Sequence, residues 1–146
     1  MNSFIRKTLP VANVHLGLLL LRTVAAAFML THGIPKLMQF FSDEPIKFAD
    51  VFGMGPVVSL ALVTFAEFLC SVFIFLGLFT RIAAIPLVVN MFVAAFYAHS
   101  TDPFSVKEMA LLFLLIFTFL LLTGGGKYSI DGILLKQGRK KERRYI

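Results

Sequence analysis

The sequence predicts an all-α protein, a four-helix transmembrane bundle with both termini cytoplasmic. Three observations carry that expectation. The first is composition: of 146 residues, 58% are hydrophobic and 15% charged, with 17 Phe, no Trp and a mean hydropathy of +0.86. An ordinary soluble domain is roughly a quarter charged, and a fold this small cannot hide so much apolar surface from water, so lipid must be its solvent. The second is segmentation: four apolar runs, at about 12–32, 57–79, 82–99 and 106–123, approach the roughly 17–25 residues a helix needs to cross the hydrocarbon core. The third is charge asymmetry. Arg6, Lys7, Arg81, Lys127, Lys136, Arg139, Lys140, Lys141, Arg143 and Arg144 fall on the side of the termini, and only Lys36, Lys47 and Lys107 on the other. Positively charged loops stay in the cytoplasm. One domain, 1–146, is the natural division, with a basic tail at 135–146.

The first run begins after Arg6 and Lys7 and passes Ala25-Ala26-Ala27, which together suggest a signal peptide. Arg22 interrupts the run and apolar residues continue through Leu30, so a retained first span is expected. The following loop, about 33–56, mixes Phe40, Phe41, Ile46, Phe48, Val51 and Phe52 with Asp43, Glu44, Lys47 and Asp50. With Pro45 as a helix start, it predicts a short amphipathic helix lying on the outer membrane face.

Span two carries Thr64, Glu67 and Ser71 at helical spacing, a polar stripe whose hydroxyls are placed to bond the carboxylate. The short turn Gly77-Leu78-Phe79-Thr80-Arg81 makes spans two and three antiparallel neighbours, and Pro86 falls near the first turn of span three, where it is tolerated. Spans three and four are short and use flanking residues or a thinner bilayer to complete the crossing. Cys70 is the single cysteine, so no internal disulfide or Cys-x-x-Cys pair exists. The basic tail follows a hydrophobic span, and topology explains it more simply than nucleic-acid binding, for which no other module is present.

Chemistry points to the charges inside the spans. Counted from the outer ends, Arg22, Glu67, Asn90 and Thr118 lie about nine or ten residues deep, near the midplane. A charge there is costly and finds a partner, so Arg22 and Glu67 are expected to face each other directly or through one water. Such a pair either locks the register of two spans or forms a proton-handling or ligand-binding site, and buried pairs are a weak source of stability. A second cluster, His32, Lys36, His99 and Glu108, lies at the outer surface, where imidazoles are suited to proton transfer or act as interfacial caps. A bis-histidine haem is disfavoured by the near-terminal positions of both histidines. No metal spacing, nucleotide loop or nucleophile–base motif is present.

The segment LLLLRTVAAAFMLTHGIPKL resembles the opening of the DoxX family, whose first span carries an Arg and runs into His-Gly-x-x-Lys-Leu, matched by His32, Gly33, Lys36 and Leu37. Glu67 stands where that family has a second-span Glu, Gly77–Arg81 matches its Gly-Leu-x-Thr-Arg turn, and Gly124–Asp131 is similar to its closing Gly-x-Gly-x-x-Ser-x-Asp. The resemblance spans about 15–134 and implies a small multi-pass protein of the bacterial inner membrane. The family takes its name from the small subunits of a thiosulfate:quinone oxidoreductase, and some members associate with redox or thiol-stress proteins. The expectation is therefore a membrane subunit of a quinone- or thiol-linked redox system. Its catalytic candidates are Arg22, Glu67, His32 and Lys36. Asn90, His99 and Glu108 are candidates for binding quinone or a similar lipophile, and no metal is expected. The alternatives are a non-enzymatic anchor or assembly component, with a protein partner or a second copy, and a small transporter using the polar layer.

Overall fold

The computed structural model describes residues 11–142, and these are helical apart from turns and one loop. Helix α1 spans Val11–Met38 and ends in a single 3-10 turn, Gln39–Phe41. Helix α2 covers Pro56–Leu76, α3 Thr80–Ala98, α4 Phe104–Thr123, and α5 Ile130–Glu142. The first four are long and apolar enough to cross a membrane. Arg6, Lys7, Arg143 and Arg144, which contribute to the charge asymmetry, lie outside the described residues.

Helix α1 runs six residues past the expected end of the first span. Pro35 is accommodated inside it rather than ending it, since neighbouring helices compensate the lost backbone bond in a membrane bundle. At 28 residues α1 is about 42 Å long, more than a hydrocarbon core of about 30 Å, so it tilts or projects beyond the bilayer. Pro86 lies seven residues into α3 rather than in its first turn.

Small side chains let the helices approach: Ala25, Ala26, Ala66, Ala83, Ala84, Ala95 and Ala110 are all buried. Met29, Ile74, Leu87, Phe117 and Leu120 fill the space between them. Gly33 is the tightest point, since a Cβ there would lie 2.6 Å from the Glu67 carbonyl carbon. Glycine therefore sets the α1–α2 register and places residue 33 level with residue 67. Large apolar side chains on the outer faces, such as Phe28, Leu62, Phe92 and Leu115, are exposed, an arrangement that lipid stabilises and water does not.

The loop between α1 and α2 is not the amphipathic helix its composition suggested. It crosses residues 45–50 without helix and then turns through Phe52, Gly53 and Gly55, all at positive φ. Asp50 accepts from the Gly55 amide at 2.8 Å, and the Ser59 hydroxyl accepts from the Val51 amide at 3.0 Å. Those bonds offer the backbone an alternative to a helical ladder. Phe52 packs against Tyr97 at the end of α3, with ring centroids 4.4 Å apart and the ring planes tilted by 41°.

Helix α5 covers the first part of the basic segment expected to be a tail at 135–146. It exposes Ile133, Leu134 and Leu135, as a helix lying in the membrane interface does.

Candidate functional site

Glu67 sits in a π-helical stretch of α2, Phe65–Cys70, where the backbone is widened by one residue per turn. Such stretches are rare and often accompany functional positions. The Glu67 side chain is 7% exposed. One oxygen, Oε1, accepts from Asn90 Nδ2 of α3 at 3.0 Å, and Oε2 accepts from Lys36 Nζ of α1 in a short ion pair. A second π-helical stretch, Ala94–Ala98, follows Asn90 by one turn in α3. Three spans thus converge on one carboxylate. Lys36 reaches it because helical side chains lean toward the N-terminus, which here carries the ammonium group into the bundle. Its side chain remains 23% exposed, so the pair keeps contact with the outside.

This arrangement corrects the pairing expected from depth. Arg22 does not face Glu67. With Gly33 level with Glu67, Arg22 stands eleven residues away along α1, about 16 Å by helical rise. Its Nη1 donates to the carbonyls of Ile74 and Phe75 at 3.0 and 2.7 Å, and Nη2 to that of Tyr128 at 2.9 Å. The first two belong to the last turn of α2, at the negative end of the helix dipole, and the Ile74 carbonyl also accepts from the Gly77 amide at 3.0 Å. A buried cation is accommodated there without a carboxylate in direct contact. Thr118, the fifteenth residue of α4, makes no hydrogen bond to Glu67 among the described residues. Thr64 and Ser71 are buried on the Glu67 stripe, but their hydroxyls find no partner among the described residues. Lys36 and Asn90 take the carboxylate instead.

The segments around Arg22 form a staple at the end of the bundle that carries the termini. Helix α2 closes with Gly77 at φ +72° and the Leu78 amide bonded to the Phe73 carbonyl at 2.9 Å, a Schellman ending. Gly77 is required twice over, because a Cβ would also lie 2.6 Å from Arg22 Nη1. Helix α3 starts without a cap of its own. Asp131 supplies one from α5, accepting from the amides of Phe79 and Thr80 and from Thr80 Oγ1 at 2.8, 2.9 and 3.0 Å. A cation thus closes the C-terminus of α2 and an anion the N-terminus of α3, as the dipoles favour. Tyr128 and Asp131 were not singled out from sequence. The closing glycine-rich motif that contains them was the available signal.

Of the other candidates, His32 lines a groove of about 590 Å³ between α1 and α4. Its ring meets Phe113 edge-on at 6.3 Å. His99 pairs with Asp102 at 2.7 Å, a local contact just past the end of α3. Glu108 is exposed in the first two turns of α4. Neither joins Glu67 or His32, so the four residues of the expected outer cluster stand in four places. Among the described residues, no group of three His, Cys, Asp or Glu side chains is placed to hold a metal ion.

Residues 17–100 match the DoxX family, and that stretch covers the Arg22, Gly33, Lys36, Glu67 and Asn90 positions. The chain belongs to the DoxX family. It is also similar to an uncharacterized protein of Haemophilus influenzae, 31% identical over 124 residues, or 80% of this chain and 90% of that protein. No solved structure matches it. As a DoxX protein with four apolar helices of sufficient length, it is a multi-pass membrane protein.

Proposed function

We propose that this DoxX protein is a membrane subunit of a quinone- or thiol-linked redox system in the bacterial inner membrane, binding a quinone-class lipophile in the α1–α4 groove with its ring at His32. The groove supports this reading most. It is lined by residues such as Leu20, Val24, Phe28, Leu112 and Ile116, and is polar at the end where Thr31 and His32 stand. An apolar slot with few convergent polar groups suits a lipophile that needs orienting at one end. The Thr31 hydroxyl is already bonded to the Phe28 carbonyl at 2.7 Å, which leaves the His32 imidazole to donate to a ring oxygen. A bound quinone accepts two electrons and two protons, with the electrons supplied by a partner protein. His32 and Lys36 stand one helical turn apart on α1, so the Lys36–Glu67 pair is the proton source this reading assigns to the polar end of the groove. Asn90 holds the carboxylate in place. Arg22 belongs to the staple rather than to the chemistry.

The second reading is an anchor or assembly component, or a small transporter working as an oligomer. It is favoured by α4, whose most apolar stretch is only 11% buried against 44% for α2, leaving a face for a partner helix or a second copy. Purification in mild detergent followed by organic extraction separates the two. The redox reading predicts co-purifying quinone, lost in His32→Leu with no change in thermal stability. Stoichiometric capture of a protein without quinone would overturn it in favour of assembly.

A further inference from the structure

At the end of the bundle that carries the staple, a recess of about 1150 Å³ opens between the Gly124–Gly126 loop, the start of α3 and α5. Four basic side chains from four parts of the chain line it: His15 of α1, Arg81 of α3, Lys127 of the loop and Lys136 of α5. Arg81 spends one donor on the Leu122 carbonyl at 3.1 Å and has further donors free for an acceptor. Thr123, Ser129 and Asp131 are the other polar lining residues. The one carboxylate, Asp131, already accepts three hydrogen bonds from the α3 N-terminus, and the Ser129 hydroxyl is bonded within its own turn. The recess therefore presents three formal positive charges and one carboxylate that is already engaged.

Its remaining walls are apolar and bare. Phe79, Ile82, Leu134 and Leu135 line it and are more than half exposed. This junction of cationic rim and apolar wall lies where the spans end, at the headgroup level of a bilayer. We propose that the recess binds the headgroup phosphate of an anionic phospholipid of the phosphatidylglycerol class, with the acyl chains running along Phe79, Ile82 and the apolar side of α5. Charge complementarity selects this occupant. A zwitterionic lipid would bring its own cation against Arg81 and Lys127, and a soluble phosphate would leave the apolar wall unmatched. The site is separate from the Glu67 cluster and does not depend on the redox reading.

The test compares retention of dioleoyl phosphatidylglycerol and dioleoyl phosphatidylcholine by the full-length protein in mixed nanodiscs, read by native mass spectrometry. Wild type is expected to retain the anionic lipid selectively. The Lys127→Gln/Lys136→Gln variant should lose about thirtyfold of that preference, the effect of two interfacial charges. It leaves Arg81 and Asp131 untouched, and its thermal midpoint in phosphatidylcholine should equal that of wild type. The single Lys136→Gln variant, with a smaller loss in the same direction, serves if the pair proves unstable. Equal retention of the two lipids would overturn the proposal. So would selectivity that survives in this variant but disappears in Arg139→Gln/Lys140→Gln/Lys141→Gln, because the basic tail and not the recess would then be responsible. Displacement of the lipid by millimolar inorganic phosphate would overturn it in favour of a soluble anion.

Discussion

Two buried charges in this molecule are stabilised in different ways, and their mutants should fail differently. Arg22 replaces water with three backbone carbonyls, so Arg22→Met strands those acceptors and should lower stability; restoring charge elsewhere should not compensate. Asp131→Ala removes a side-chain cap from α3 and should cost about 1–2 kcal/mol in reversible unfolding in mixed micelles, the upper range for a lost N-cap. An unchanged midpoint would remove the staple from the account. Glu67→Gln leaves Lys36 without a counter-ion, and uncompensated buried charges cost about 3–5 kcal/mol. Lys36 retains a route to the outside, so the loss should fall at or below that range, with folded protein still reaching the membrane. Under thiol or oxidative stress that protein should fail to complement a deletion strain, whereas a structural pair would show only the stability loss. The importance of Arg22 and Glu67 was legible in the sequence because charges in apolar runs are conspicuous. Their partners were not legible. Depth counting assumed that span one ended near residue 32, and backbone carbonyls at a helix end carry no side-chain signature.

Glycine at position 33 controls how α1 and α2 meet. The α1 backbone lies directly on the α2 backbone at Glu67, and a methyl group there has only backbone to displace. Gly33→Ala should therefore destabilise by about 1–3 kcal/mol, the usual effect of overpacking, and should also disturb the Lys36–Glu67 contact one turn away. A neutral result by thermal unfolding would mean that the crossing is looser than described. The four spans were legible as elements because hydropathy over twenty residues dominates any local preference. Three features were not. Span one was expected to end near residue 32, yet the helix continues through Pro35 to Met38. The loop at 42–55 has the composition of an amphipathic helix, but Asp50, Ser59 and glycines at positive φ direct its backbone elsewhere. The π-helical stretches leave no periodicity distinguishable from an ordinary helix over five or six residues.

At the scale of the whole molecule, four spans put the two termini on one side, and the Lys and Arg asymmetry predicts that this side is cytoplasmic. Reporter fusions should give a cytoplasmic signal at both ends; a periplasmic signal at the C-terminus would invert the bundle and place the Lys36–Glu67 cluster near the cytoplasm. On that topology and the proposed function, the bundle divides into a stapled end on the cytoplasmic side, built from Arg22, the Gly77–Arg81 turn and Asp131, and an outer half where Lys36, Glu67, Asn90 and His32 carry the proposed chemistry. A pair of double-mutant cycles distinguishes the two halves. Unfolding free energies of Lys36→Met, Arg22→Met and Glu67→Gln, singly and in the two combinations with Glu67→Gln, give the coupling of each cation to the carboxylate. The account predicts a coupling of roughly 0.5–3 kcal/mol between Lys36 and Glu67, and additivity within about 0.5 kcal/mol between Arg22 and Glu67. Strong coupling of Arg22 to Glu67, with Lys36 additive, would contradict it.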